Sequence, residues 1–390
     1  MAGRFLIPLI ILVVLPMLYL YMHYFRHRVR QTWFRRIAFW TPSVLMLVYG
    51  SVLAVQAWTD RFIPENPIWT TLYLWLIGLW IFPKFVFSVC SFLGWRHCKF
   101  WKKRYNWGNL AGVVFGLVAA ITFIYGSIGG VRHLEIRHVD VYLNDLPAAF
   151  DGYRVVQFSD AHVGTFVDGR LDLLQRDVDS INAQRADAIF FVGDLINMLP
   201  SELYKVQPIL RQLKAKDGVF SVLGNHDYAF YTHFDPAVEA ANCKETISRQ
   251  RQMGWHLLLN EHVAIERGND QIYIAGLEDL GESDSVKFGD VKKTMENIPA
   301  DAFTIMLSHD PWAWRNGIFD ESNAQLTLSG HTHGGQVSLF GVRPTMFKPE
   351  DFGLYERERR YLNVTCGIGG VLPFRLGVYP EIVVLTLHRK

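Results

Sequence analysis

The chain has 390 residues, half of them hydrophobic, with 39 Lys and Arg against 37 Asp and Glu and a mean hydropathy of +0.11. Those values exclude a disordered scaffold or a collagen-like array and predict two or three structural units. The near-neutral balance averages two unlike halves: residues 1 to 131 carry 13 basic side chains against only Asp60 and Glu65, with nine of the twelve Trp, and the remainder is net acidic. Basic charge among aromatics and apolar runs is a membrane pattern, and no nucleic-acid partner is expected.

In chain order, four stretches are long enough to cross a bilayer: Phe5 to Phe25, Ile37 to Trp58, Ile68 to Leu93 and Asn109 to Gly129. Each nearly lacks ionisable side chains; His23 lies near an end, and Lys84 follows Pro83, where a kink is expected to let the amine snorkel or to split the third span. The first span has no small-residue cleavage site and runs into Arg26, Arg28, Arg30, Arg35 and Arg36, so it reads as a retained anchor. The loop after the third span carries Arg96, Lys99, Lys102, Lys103 and Arg104, whereas the loop between the second and third carries Arg61 alone. Positive-inside counting places both basic loops in the cytoplasm and the rest of the chain, from about Gly130, on the extracytoplasmic side of the cell membrane. Spans this poor in polar residues predict an anchor rather than a conduit.

From Glu135 the pattern becomes α/β. Strands are expected at Ile136 to Leu143, Arg154 to Ser159, Ala188 to Val192, Val219 to Leu223, His262 to Glu266, Gln271 to Ala275, Phe303 to Leu307 and Gln325 to Leu328, with a closing pair at Tyr361 to Val364 and Ile382 to His388. Helices are expected at Asp168 to Arg185, Ser201 to Leu213 and Pro236 to Met253, and Glu278 to Asp284 reads as a loop. The division that follows is a four-span region at 1–131 and one domain at 132–390.

Five of these strands run straight into residue types that bind metals: Ser159-Asp160-Ala161-His162, Gly193-Asp194, Gly224-Asn225-His226-Asp227, Ser308-His309-Asp310, and Gly330-His331-Thr332-His333-Gly334-Gly335-Gln336. Sites in α/β sheets form beyond the carboxyl ends of strands, so five such loops imply one site. Carboxylates and imidazoles without a thiolate suit Mn, Fe or Zn, and a carboxylate such as Asp194 can bridge two cations. Gly193, Gly224 and Gly330 would let the backbone turn sharply and approach the ions.

These five blocks, in this order, resemble the calcineurin-like metallophosphoesterases, in particular their membrane-linked bacterial branch, over about Arg154 to Leu387. The resemblance implies a four-layer α/β/β/α metallophosphoesterase sandwich, here preceded by four transmembrane α-helices. It implies two divalent metal ions, the first held by Asp160, His162 and His333, the second by Asn225, His309 and His331, with Asp194 between them. His226 would be catalytic, protonating the leaving alkoxide after attack by a metal-bridging hydroxide. A block that in the family often reads Gly-Asp-x-x-Asp ends here in Asn197; if that position orients His226, a neutral amide would support its charge less than a carboxylate.

Beyond the blocks, His138, His233, His256 and His262 read as structural. Asp227 and Asp310 are candidates to fix imidazole tautomers or are solvated loop residues. Trp312 and Trp314 suit packing under a loop or, alternatively, an apolar wall beside the site, and Arg375 is a candidate for a phosphate oxygen. The mixture of Phe340, Met346, Phe347, Phe352 and Tyr355 with Arg343, Lys348, Arg357, Arg359 and Arg360 is open between a lipid-facing segment and a packed loop. Cys90, Cys98, Cys243 and Cys366 form no framework; free thiols are the default and a Cys243–Cys366 disulfide the alternative. The function implied is hydrolysis of a phosphodiester or phosphomonoester on a lipid or envelope glycoconjugate at the bilayer, against soluble nucleotides or small organophosphates, or a non-catalytic receptor.

Overall fold

The computed structural model describes residues 2–30, 32–56, 68–167, 169–232, 235–281 and 287–390. The loop bearing Asp60, Arg61 and Glu65, residue His233, and the last part of the Glu278 to Asp284 connector lie outside the described residues. The chain forms two compact units that meet in sequence between Tyr125 and Gly126.

Among the described residues four helices are long and apolar enough to cross a membrane: Ile10–Arg28, Trp33–Val55, Trp69–Trp101 and Trp107–Arg132. The third is continuous rather than split. Its 33 residues rise about 50 Å, more than the hydrocarbon layer needs, so it runs on past Leu93 into the basic stretch. Just before Pro83 the helix widens into a π-turn, Ile77–Ile81, which accommodates the missing proline N–H. Lys84 does not snorkel: its Nζ donates to Ser43 Oγ at 3.3 Å and lies 6.0 Å from the Trp80 ring centroid. One polar cluster joins three helices, with Tyr19 and Tyr24 hydroxyls on Ser91 Oγ at 2.8 and 2.5 Å, and Tyr24 and Ser91 hydroxyls donating to Asn109 Oδ1. These neutral groups satisfy one another and act as glue between helices.

The second unit holds two six-stranded sheets. In the first the strand order is β1 (Glu135–Leu143), β12 (Glu381–Arg389), β2 (Tyr153–Phe158), β3 (Ala188–Val192), β4 (Gly218–Val222) and β5 (His256–Leu257). In the second it is β10 (Gly353–Arg357), β11 (Arg360–Val364), β9 (Leu326–Ser329), β8 (Thr304–Leu307), β7 (Asp270–Gly276) and β6 (Glu261–Arg267). Side chains alternate across each strand, and β3 shows the consequence: Ala188, Phe190 and Val192 face the second sheet, while Ile189 and Phe191 face outward. The inner layer combines them with Ile274, Ile305, Leu307 and Leu328 of the second sheet. Outside the first sheet pack the helices Leu171–Ala183 and Leu203–Leu210 through Leu174, Ile181, Val206 and Leu210. Outside the second sheet Ala313, Trp314, Ile318 and Phe319 cover Met306 and Leu362. The result is the four-layer α/β/β/α sandwich, with Trp314 in its core.

The two closing strands do not pair. β12 joins the first sheet, parallel to β1 and antiparallel to β2, and β11 joins the second between β9 and β10. Their apolar patterns mark a buried face but not the sheet that supplies it. All four cysteines are free; Cys366 Sγ is 3.0 Å from the Tyr379 carbonyl and Cys243 packs beside Tyr228 and Leu257, so the Cys243–Cys366 disulfide does not form.

Candidate metal centre

The parallel strands β2, β3 and β4 and the parallel pair β8 and β9 deliver all five blocks to the carboxyl ends of the two sheets. Three groups of possible ligands result: Asp160, His162 and His333; His162, Asp194 and His226; and Asp194, His309 and His331, with ligand atoms in each within 4.8 Å of one another. Asn225 completes the constellation, its Oδ1 standing 3.0 Å from His331 Nδ1. Asn225 Nδ2 donates to Tyr231 Oη at 2.8 Å, which turns the amide so that the oxygen faces the cluster. The seven expected ligands and His226 are therefore brought together.

Two nitrogens converge on one oxygen. His309 Nε2 is 3.1 Å and His162 Nε2 3.5 Å from Asp194 Oδ2, yet both nitrogens are buried without a hydrogen-bond partner. His162 Nδ1 and His333 Nδ1 are likewise buried and unpartnered. Orphaned buried nitrogens are costly, and two donors each about 2.1 Å from one cation stand roughly 3 to 3.5 Å apart. Charge points the same way. Burial drives the carboxyls of Asp160 up to about 6 and of Asp227 and Asp279 up to about 7, and it holds the His162 imidazole near 3 and lowers that of His331. Asp194 and His309 depart in the opposite sense: against the cost of burial, each other's charge holds the Asp194 carboxyl well below and the His309 imidazole well above its ordinary value, so the interior of the site calls for a cationic partner to Asp194.

The backbone is shaped to the same end. Asp160, His162, Asp194, His331 and His333 all adopt left-handed φ, between 42° and 70°. Each such residue costs of the order of 1 kcal/mol, and the cost concentrates where side chains must point into the site. The three glycines of the blocks act differently. Gly193 both turns the chain, with φ +92°, and lets Gly224 and the His309 ring approach where a Cβ would strike them, whereas Gly224 and Gly330 serve close approach alone, a Cβ there striking the Asp194 carboxylate and Ser159.

Buried charge braces these loops. The Asp227 carboxylate accepts from the backbone N–H groups of Asp194, Leu195, Ile196 and Gly224 at 2.9 to 3.1 Å, so it ties two loops together instead of orienting an imidazole. Glu202 accepts from the N–H groups of Asn197, Met198 and Leu199. That contact fixes the Asn197 carbonyl, which lies 2.6 Å from His226 Nδ1. His226 is therefore oriented by a backbone oxygen, and the amide side chain of Asn197 leaves its support unchanged. Asp310 Oδ1 accepts from Trp312 N–H at 2.9 Å and its Oδ2 stays 3.8 Å from His331 Nε2, too far to fix that ring. Arg375 is 1 % exposed and donates to the carbonyls of His333, Cys366, Gly367 and Gly369, so it is a buried clamp and not a phosphate ligand. His256 stacks on Phe220 and His262 Nδ1 pairs with the Thr294 carbonyl, as expected of structural histidines.

Sequence reasoning missed Tyr231, whose ring centroid lies 4.6 Å from that of His226, and Asp279, buried in a connector read as a loop. Tyr231 follows the Gly-Asn-His-Asp block by four residues, a signal available but unused; nothing in the sequence near Asp279 signals its burial.

Two family models match the chain: "Probable Calcineurin-like phosphoesterase, transmembrane domain" over residues 3–131 and "Calcineurin-like phosphoesterase" over residues 153–335. The chain is 31 % identical over 291 residues to the "Uncharacterized metallophosphoesterase YkuE" of Bacillus subtilis, covering 71 % of this chain and 96 % of that one. It is 29 % identical over 361 residues to the "Transmembrane protein with metallophosphoesterase domain" of Danio rerio, covering 88 % and 79 %. The chain belongs to the calcineurin-like metallophosphoesterases. It is a membrane-associated, metal-dependent phosphoric ester hydrolase, and its likeness extends to vertebrate as well as bacterial proteins.

Proposed function

We propose that a four-span anchor, residues 1–131, carries a two-cation phosphoesterase domain, residues 132–390, outside the cytoplasm, where it cleaves a phosphodiester or phosphomonoester on a lipid or envelope glycoconjugate. The observation that carries the two-cation reading is the sharing of Asp194 Oδ2 between His162 on one side and His309 on the other. Asp160, His162 and His333 would hold one cation, Asn225, His309 and His331 the other, and Asp194 would serve both. A donor set of carboxylate, amide oxygen and imidazole suits Mn, Fe or Zn. When bound, such a pair supplies Lewis acidity toward phosphoryl oxygens and makes water nucleophilic near neutral pH.

The chain's own contribution to proton transfer is His226. With Nδ1–H committed to the Asn197 carbonyl, Nε2 is the nitrogen left to hand a proton to the departing alkoxide. Tyr231, beside both Asn225 and His226, offers a hydroxyl to the bound phosphoryl group. The lipid-borne substrate is supported by the anchor, whose neutral polar cluster offers no charged path for a solute and which leaves residence at a bilayer as its evident task.

Metal analysis of detergent-extracted protein should return two divalent cations per chain, and a panel of phospholipids, polyprenyl phosphates and nucleotides should show turnover on the lipid members. One cation per chain, or turnover confined to nucleotides, overturns the corresponding part. A reporter fused after Lys390 should read extracytoplasmic; a cytoplasmic signal overturns the orientation.

A further inference from the structure

Past the last ligand block the chain makes a short hairpin whose tip is entirely apolar. Leu339 and Val342 exchange both backbone hydrogen bonds at 3.0 Å, leaving Phe340 and Gly341 as a two-residue turn. Phe340 has φ 53° and Gly341 φ 83°, the tight mirror-image turn that normally takes Asn or Gly at its first central position. Here that position is a phenylalanine, 105 % exposed, flanked by Leu339 at 54 % and Val342 at 58 %, with Phe347 at 87 % on the next turn of chain. A strained backbone spent on displaying an aromatic ring to water has no folding rationale within the domain. The remainder of the mixed aromatic and basic segment is packed: Phe352 lies under the Arg137 and Arg343 guanidinium groups, Arg357 and Arg360 cover Phe319, and Tyr355 Oη accepts from the Asp351 and Phe352 N–H groups.

The stem of the hairpin says what covers the tip. Val337 pairs with Leu376, and Ser338 N–H donates to the Leu376 carbonyl at 2.6 Å. One residue earlier, Arg375 N–H donates to the carbonyl of Gly126 at 3.0 Å, and a Cβ on Gly130 would collide with the Arg375 carbonyl. Gly126 and Gly130 fall in the last turns of the fourth span, Trp107–Arg132, within the same compact unit as the hairpin. The segment Arg375 to Leu376 is thus bonded on one side to the stem of the hairpin and on the other to the end of a membrane helix. Val371 and Leu372, both about two-fifths exposed, add apolar surface on the segment that leads to Arg375, and the exposed Lys348 follows Phe347, while Arg343 is paired with the Asp351 carboxylate at 2.9 Å. Aromatic and aliphatic residues with an exposed lysine beside them match the acyl boundary and the anionic headgroups above it.

We infer that the Leu339–Val342 hairpin, with Phe347, is a membrane-dipping wedge that seats the carboxyl-end face of the domain on the lipid headgroups. The wedge follows His333 by six residues, so it also sets the depth at which a phosphoester meets the site. The inference concerns a surface and holds whichever phosphoester is cleaved.

The test uses the full chain in nanodiscs of phosphatidylethanolamine and phosphatidylglycerol at one chain per disc. Phe340→Cys is compared with Glu358→Cys, in an exposed turn between β10 and β11, for reaction with an impermeant polymer-linked maleimide, the unsubstituted chain giving the background. Phe340 has nothing of its own domain over it, so protection there must come from lipid. Modification of Phe340→Cys at least about tenfold slower than of Glu358→Cys supports the wedge. Equal rates overturn it, as does protection that appears only when two chains share a disc, which would mark a contact between copies. Phe347→Cys supplies a second position, and turnover of a soluble diester by each variant confirms that the domain is folded.

Discussion

The two sides of the metal centre are braced by opposite means. On the side of Asp194, Asn225 and His309, a buried carboxylate, Asp227, gathers four backbone N–H groups. On the side of Asp160, His162 and His333, a buried guanidinium, Arg375, gathers four backbone carbonyls. Each loop exposes to the interior the backbone groups left over when a strand ends, and each is satisfied by the charge of the matching sign. Left-handed residues at the ligand positions are tolerable because these clamps over-determine the loops around them.

Removing the shared member breaks the contrast altogether. Asp194→Ala should take both cations down together and cut kcat by on the order of 10³ or more, and metal content measured beside kcat checks it; loss of a single cation would show that the two sides do not share Asp194. His226→Gln should lower kcat about 10²- to 10⁴-fold on esters with alkyl leaving groups, and much less on p-nitrophenyl esters, whose leaving group needs no proton. Equal losses on both substrates would remove the general-acid role. Asp227→Asn keeps the shape and one acceptor oxygen but sets an NH2 group where two of the four amides need an acceptor, and should weaken metal affinity about 10- to 100-fold, as read by chelator competition.

Arg375 tests the other clamp. Arg375→Met strands the carbonyls of His333, Cys366, Gly367 and Gly369 and should cost about 3 to 5 kcal/mol of domain stability by denaturant unfolding. Arg375→Lys, which keeps the charge but not the planar fork, should fall between the two. A Met variant as stable as the parent would show that those carbonyls find other donors.

How much of this could be read in advance follows from where each signal resides. The convergence of the candidate ligands was legible because they sit in contiguous blocks at strand ends, and the spans were legible because hydropathy is local. The clamps were not: Asp227 reads like any loop carboxylate and Arg375 like a surface cation until folding brings unpaired backbone groups to them. The same limit applies to β10, whose Gly-Leu-Tyr-Glu-Arg has no alternation to detect and becomes a strand only beside β11, and to β5, two residues long and held by β4. Sheet membership of β11 and β12 depends on where the chain crosses between residues 364 and 381, which no periodicity records.

A third buried carboxylate sharpens the comparison because it lacks a full set of partners. Asp177, on the helix Leu171–Ala183, is 1 % exposed; Oδ1 accepts from Arg176 at 2.6 and 3.0 Å, and Oδ2 is buried with no partner. Burial drives its carboxyl up to about 6, with Arg176 opposing. The folded state therefore holds this proton more tightly than the unfolded chain, so the stabilising contribution is complete below about pH 4 and is lost as pH rises through 6. Asp177→Asn removes the penalty while its amide oxygen still accepts from Arg176. The variant should gain about 1 to 2 kcal/mol at pH 8, a rise of a few degrees in thermal midpoint, and little at pH 4. An equal gain at both pH values would show that the aspartate is costly for its shape and not for its charge, and would leave Asp227 with no counterpart from which to learn what four amides are worth.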